Sequence, residues 1–328
     1  VRFIFLGTGT SSGVPAVACS CAVCTSSDPR DNRLRAGAAV EFTDATGQRR
    51  VVLIDATPDL RQQALRAGLT RCDAVLFTHN HVDHTFGVDE LRRFNAVQRA
   101  PIDIYAEPHT LEHLRRVYRH IFERERNVQD SFVASLIPHA IRMPDVPREP
   151  AQPAAPVSGR RPASGESEGA GREGWGGWGG WGGAGEPIDL FGLRFTPIRL
   201  LHGRLPVVGF RIERATAERA PVGGADAAGS ASPPLPLAYC TDVSAIPPKS
   251  WRYLSGLDTL VLDALRHRKH PTHFTVEEAV GAAAQIGARR TWFTHMSHDL
   301  PHEATDAALP EGMRLAYDGL VIEAAAEG

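Results

Sequence analysis

Six consecutive residues, His79-Asn80-His81-Val82-Asp83-His84, hold three imidazoles and a carboxylate. Packing does not require that density of donor groups, whereas metal coordination does. The run Ala74–Thr78 just before it reads as a strand from its β-branched and aromatic content. On an extended loop His79 and His81 alternate and can point the same way. Asp83 and His84 lie a step further on, near the start of a helix, and can face a second point nearby. One such loop cannot complete two coordination shells. The fold must therefore bring further donors to the same edge.

Three candidates stand where that requirement predicts. His202 follows the strand-like run Leu193–Arg199, Asp242 follows Leu237–Cys240, and His295 follows Thr291–Thr294. Other strand-like runs are Arg2–Leu6, Ala38–Phe42, Val51–Ile54, Val207–Glu213 and Thr259–Leu262. Leu60–Ala67 has helical apolar spacing, and Glu107–Arg124 reads as one arginine-rich amphipathic helix. Thr275 opens a helix to Ile286, with Thr275 and Glu278 at capping-box spacing. Leu315–Tyr317 and Leu320–Glu323 read as a closing hairpin around Asp318-Gly319. Strands in two groups with helices between them predict an α/β layered sandwich.

Residues 148–186 contain Trp175, Trp178 and Trp181 spaced by glycine pairs, and 215–236 are rich in Ala, Gly and Pro. Neither stretch offers enough apolar surface to offset backbone entropy, so both are expected to be disordered loops in one domain spanning 1–328. The formal net charge of −2 supplies no basic field for nucleic acid. No apolar run approaches the roughly 20 residues of a membrane span. Phe3–Leu6 is too short for a signal peptide and Gly7-Thr8-Gly9-Thr10 breaks it, which argues against secretion. The chain begins with Val, so an initiator is expected upstream or recoded. Five cysteines in 328 residues are no disulfide framework and suit a reducing cytoplasm. Yet Cys19, Cys21 and Cys24 crowd together, as three thiolates lacking a fourth ligand; redox sensing is the alternative. Cys72 and Cys240 read as small buried hydrophobes.

Several features carry less. Gly7 to Gly13 matches neither a dinucleotide fingerprint nor a P-loop, and reads as backbone passing close to the metal centre. His109 and His113 share a helical face without a third donor and read as a solvated pair. Arg115, Arg116 and Arg119 read as a solvated helix face. Asp55 and Asp263, each after a strand, are candidate acceptors for ligand imidazoles or simple loop caps.

The His-x-His-x-Asp-His loop with His202, Asp242 and His295 resembles the metallo-β-lactamase-fold hydrolases. Phe5 to Pro15, the cysteine trio and Tyr317-Asp318-Gly319 are similar to the phosphoribosyl 1,2-cyclic phosphodiesterase group of the carbon–phosphorus lyase pathway. The resemblance implies a four-layered αββα sandwich and a dinuclear centre. His79, His81 and His202 would hold one ion, Asp83, His84 and His295 the other, and Asp242 would bridge them. It favours Mn²⁺, with Zn²⁺ as the alternative, and makes His298 the fourth ligand of a structural Zn²⁺ beside Cys19, Cys21 and Cys24. It implies that His273 protonates the leaving oxygen and that Asp83 is indispensable to turnover. The implied reaction converts 5-phosphoribosyl 1,2-cyclic phosphate to ribose 1,5-bisphosphate, in a cytoplasmic protein with a tendency to dimerise. Two other readings share the fold: a tRNA 3′-processing endonuclease, and a non-hydrolytic metal protein similar to the pyrroloquinoline-quinone biosynthesis protein B family.

Overall fold

The computed structural model describes residues 1–123, 125, 127, 132–144, 182–215 and 234–323. Most of the two stretches expected to be disordered lies outside these residues. The ends that are described are ordered: Ala184 bridges to Ile198, the Gly185 N–H donates to the Pro197 carbonyl, and the Pro236 carbonyl accepts from the Asp258 N–H.

Alternating apolar residues build the first sheet. Its strands are β1 (Arg2–Gly7), β2 (Gly37–Thr43), β3 (Arg49–Ile54), β4 (Ala74–Leu76), β5 (Ile102–Ala106) and β6 (Leu136–Ala140). The second sheet holds β7 (Ile188–Leu190), β8 (Leu193–His202), β9 (Leu205–Arg214), β10 (Leu237–Cys240), β11 (Thr259–Asp263), β12 (Arg290–Thr294) and β13 (Met313–Leu315). The last strand, β14 (Val321–Glu323), returns to the first sheet and pairs antiparallel with β1, giving the order β14-β1-β2-β3-β4-β5-β6. The order of the other sheet is β13-β12-β11-β10-β9-β8-β7. The expected closing hairpin is therefore absent, because its two arms lie in different sheets. Leu315 pairs in parallel with Phe293, while Ile322 pairs with Phe3.

Period-two alternation sends each strand's side chains to two apolar environments. Phe3, Phe5, Val52, Ile54, Phe195, Phe210, Tyr239 and Val261 fill the space between the sheets. Ile4, Leu6, Leu53, Val75 and Phe77 face outward with Leu60, Leu91 and Leu111. Those last three sit on α1 (Leu60–Arg66), α3 (Leu91–Gln98) and α4 (Pro108–Val117), separated by the short α2 (Val82–Thr85). The helix expected over 107–124 breaks at Tyr118 (φ −107°, ψ 46°) before α5 (Arg119–Phe122). Tyr118 turns inward there, and its hydroxyl donates to the Thr85 carbonyl at 3.1 Å. On the far side, Ala279 and Ala283 of α6 (Val276–Ile286) pack with Leu260, Leu262 and Phe293. The Thr275–Glu278 capping box of α6 is present. The layers thus run helix, sheet, sheet, helix.

His302 opens α7 (His302–Ala307) and is almost fully buried. Burial, reinforced by Arg30 and Arg33, brings its pKa from 6.5 down to about 4. The unfolded chain thus takes up this proton before the folded one does. Stability present above pH 6.5 is expected to be lost as the pH falls towards 4. His302→Leu should flatten that loss when urea midpoints are compared across this pH range. Parallel curves for variant and wild type would exclude His302 as the cause.

Candidate metal centre

Both sheets send their parallel strands towards one edge, where open α/β sheets place ligands. Asp55 leaves β3, His79 follows β4, Asp242 follows β10, Asp263 ends β11 and His295 follows β12. His202 ends the long antiparallel strand β8. The Val208 N–H on β9 donates to the Thr78 carbonyl at 3.0 Å, tying the sheets together beside the His-rich loop. Asp55, Asp242 and His295 all have positive φ, at 66°, 56° and 61°. Such backbone is uncommon for residues other than glycine and clusters where a side chain must be aimed. Gly9 bridges to Met296, the residue after His295, so the N-terminal loop does pass beside the centre.

The donor atoms gather in three groups: His79 with His81 and His202; Asp83 with His84, Asp242 and His295; and Cys19, Cys21 and Cys24 with His298. Within each group every donor atom lies within 4.8 Å of the others. Asp242 is central to the second group: its Oδ2 is 3.1 Å from His84 Nε2 and its Oδ1 is 3.3 Å from His295 Nε2. His202 and Asp242 also form a group with His273.

Hydrogen bonds behind the imidazoles decide which nitrogen faces the centre. Thr78 Oγ1 donates to Asp55 Oδ2 (2.9 Å), so it accepts from His79 Nδ1 (3.0 Å). His84 Nδ1 donates to Asp55 Oδ2 at 2.7 Å, and His202 Nδ1 donates to the Thr272 carbonyl at 2.7 Å. Each ring then turns Nε2 inward, the nitrogen that binds a cation once it carries no proton. The Nε2 atoms of His79, His84 and His295 are buried without a hydrogen-bond partner. For His84 the nearby carboxylates are close in space but not aligned for a hydrogen bond. Buried nitrogens left bare cost about 1–3 kcal/mol each. That cost and the mixed imidazole–carboxylate donors fit divalent cations in this pocket.

The charge pattern agrees. Burial lowers His79 well below the ordinary histidine value and also lowers His81 and His202, keeping them neutral. Burial works against charge on His84 and His295, yet Asp242 and the neighbouring carboxylates win, raising His84 well above its usual value and His295 to about 9. Burial would likewise raise Asp83 and Asp242, but the facing imidazoles hold both well below the usual carboxylate range. Anionic carboxylates therefore draw positive charge into this pocket.

Asp55 and Asp263 act as acceptors for imidazoles rather than as loop caps alone. Asp263 Oδ2 accepts from His273 Nδ1 at 2.7 Å and from the Val243 N–H at 2.7 Å. Its Oδ1 is 3.8 Å from His295 Nδ1, too far for a hydrogen bond. Asp55→Asn is expected to weaken metal binding by about 10–100-fold, because His84 loses the anion that fixes its tautomer. Equilibrium dialysis would measure it, and wild-type affinity would rule out that role.

In the cysteine group, His298 Nδ1 lies 3.2, 3.5 and 3.4 Å from the sulfurs of Cys19, Cys21 and Cys24. Those spacings match the edge of about 3.5 Å in a tetrahedron built with zinc–ligand bonds of about 2.0–2.3 Å. The Cys24 N–H brings the Cys21 thiol down to about 6, towards the thiolate that binds zinc. Buried Arg33 donates to the carbonyls of Ser297 (2.8 Å) and Leu300 (2.6 Å), bracketing His298. Cys72 and Cys240 are fully buried, as expected, and burial pushes the Cys240 thiol up to about 12.

Sequence reasoning missed Thr78 and Thr272, which orient imidazoles from behind. Only their positions, each just before a histidine, could have marked them. It also missed the buried pair in which Arg199 donates twice to Glu107 (2.7 and 2.6 Å), holding β8 three residues before His202. His113 departs from a solvated pair: its Nε2 is buried, while His109 is exposed.

Residues 50–160 and 181–296 match the family described as "Beta-lactamase superfamily domain". The chain is 31% identical over 98% of its length to "Octanoyltransferase" of Porphyromonas gingivalis, covering 51% of that protein. It spans about half or less of the length of the curated relatives it matches. A solved structure described as "a New Diphosphatase from the PhnP Family" is 35% identical, with a TM-score of 0.71 covering 98% of this chain and 97% of that one. Zn²⁺-bound PqqB from Methylobacterium extorquens shares the fold at 20% identity, with a TM-score of 0.61 and coverage of 98% and 100%. No helix among the described residues is long and apolar enough to cross a membrane. From the facing sheets, the edge that gathers the donors and the family match, the chain belongs to the beta-lactamase superfamily and carries its metallo-β-lactamase sandwich fold.

Proposed function

We propose that the chain hydrolyses a small cyclic phosphodiester, with 5-phosphoribosyl 1,2-cyclic phosphate, opened to ribose 1,5-bisphosphate, as the preferred substrate. The supporting observation is the His273–Asp263 pair set against the two donor groups. When bound, two divalent ions, Mn²⁺ or Zn²⁺, supply charge neutralisation at a phosphoryl group and lower the pKa of water. His79, His81 and His202 would hold one, Asp83, His84 and His295 the other, with Asp242 shared. Cys19, Cys21, Cys24 and His298 would hold a structural Zn²⁺.

The chain's own chemistry centres on the leaving group. Hydrolysis forms one P–O bond from water and breaks one ring P–O bond, whose oxygen must gain a proton. His273 Nδ1–H is committed to Asp263, so Nε2 is the atom that delivers this proton. Asp263 stabilises the imidazolium that carries it and fixes the ring, as the carboxylate of a triad does.

The 35%-identical diphosphatase makes a phosphoanhydride the second substrate class. The likeness to a protein named Octanoyltransferase makes an octanoyl-group donor the third, probed as a thioester. The test is hydrolysis by Mn²⁺-loaded protein of the ribosyl cyclic phosphate, a bis-aryl phosphodiester, a nucleoside diphosphate and an octanoyl thioester. A kcat/KM highest for the ribosyl cyclic phosphate is expected. Preference for the diphosphate or thioester would replace the proposed reaction.

A further inference from the structure

Thr272 holds two imidazoles at once. Its carbonyl accepts from His202 Nδ1 at 2.7 Å, while its N–H donates to His270 Nδ1 at 3.4 Å with Oγ1 3.1 Å from the same nitrogen. A methyl group at Gly203 would lie 2.8 Å from Thr272 Cγ2, so the bracket closes tightly against the His202 turn. Because a backbone N–H can only donate, His270 Nδ1 is an acceptor and the ring's proton sits on Nε2. Among the described residues that Nε2–H meets no hydrogen-bond partner, and the ring is half-buried at the rim of the centre. It lies 5.2 Å, ring centre to ring centre, from His273, whose own ring is 4.5 Å from His202 and 4.7 Å from His295. An N–H donor fixed in one tautomer beside the proton donor is suited to a phosphate oxygen on the leaving-group side.

We propose that His270 is a specificity-determining residue whose Nε2–H binds a substrate phosphate oxygen beside His273. The assignment rests on the phosphoryl substrate class proposed above. Asn and Gln separate the ring's two nitrogens: Asn offers an acceptor near the position of Nδ1, and Gln offers a donor near that of Nε2. The probe is inorganic phosphate, titrated calorimetrically into the Mn²⁺-loaded protein. His270→Asn is expected to raise Kd about tenfold, the loss of one hydrogen bond to a charged group. His270→Gln should stay within about threefold of wild type, since it returns a donor.

On the ribosyl cyclic phosphate, His270→Asn should raise KM more than it lowers kcat, with bound metal unchanged. Equal phosphate affinity in His270→Asn and wild type would overturn the assignment. So would equal weakening in both variants, which would mark a structural role through Thr272, and so would a wild type that binds no phosphate. If wild type binds phosphate through His270 yet cleaves no phosphoester or phosphoanhydride, the phosphate site stands and the reaction falls.

Discussion

Asp242→Asn is expected to reduce hydrolysis by at least ~10³-fold, well beyond the ~10–100-fold cost of losing a partner behind a ligand. The change keeps the side chain's shape, and Asn tolerates the positive φ of 56° at this position. The fold should therefore survive. What is lost is the anion whose two oxygens face His84 and His295 at 3.1 and 3.3 Å. An amide presents only one oxygen and no charge, so it cannot face both imidazoles as the carboxylate does. The check is metal content by elemental analysis beside turnover and far-UV circular dichroism. Reduced metal with an unchanged spectrum is the expected result. Full metal and full rate would remove Asp242 from the centre.

The second large effect concerns the leaving oxygen. His273→Ala should lower kcat by about 10²–10⁴-fold on a substrate that expels an alkoxide. The same variant should lose less than about tenfold on a bis-aryl ester, whose phenolate leaves without a proton. Asp263→Asn should fall between, because Asp263 acts on the leaving oxygen through the imidazole it holds at 2.7 Å. Equal losses on both esters would assign His273 to binding or structure instead.

The donor groups were legible because ligand residues follow strands, and strands with β-branched runs announce themselves. His79, Asp242 and His295 could each be placed from one short run and the residue after it. The Asp55–His84 contact was half legible: the position after a strand was visible, but the choice between cap and acceptor depends on tertiary approach. Thr78 and Thr272 each stand just before a histidine, but which imidazole each one orients depends on tertiary approach. The helix over 107–124 misled because amphipathic periodicity continues through Tyr118, while the break comes from a hydroxyl reaching Thr85 in another element. The closing hairpin misled because Asp-Gly between apolar runs is a strong local turn signal. Asp318 instead accepts from Thr8 Oγ1 (2.8 Å) and the Leu34 N–H (2.8 Å), spending its carboxylate on the N-terminal segment.

That departure bears on how the chain reaches its native state. β1 pairs with β14, joining Phe3 to Ile322 across nearly the whole described sequence. During synthesis β1 emerges well before β14, and its outer edge stays unpaired until the intervening strands of both sheets have been made. An open strand edge with alternating Phe and Ile is a template for pairing with other chains. Closure of so distant a pair also carries a large loop-closure entropy, which slows that step of folding. Dependence on chaperones while the ribosome is still at work, and aggregation of chains cut short before β14, are the costs of a strand that waits for so distant a partner.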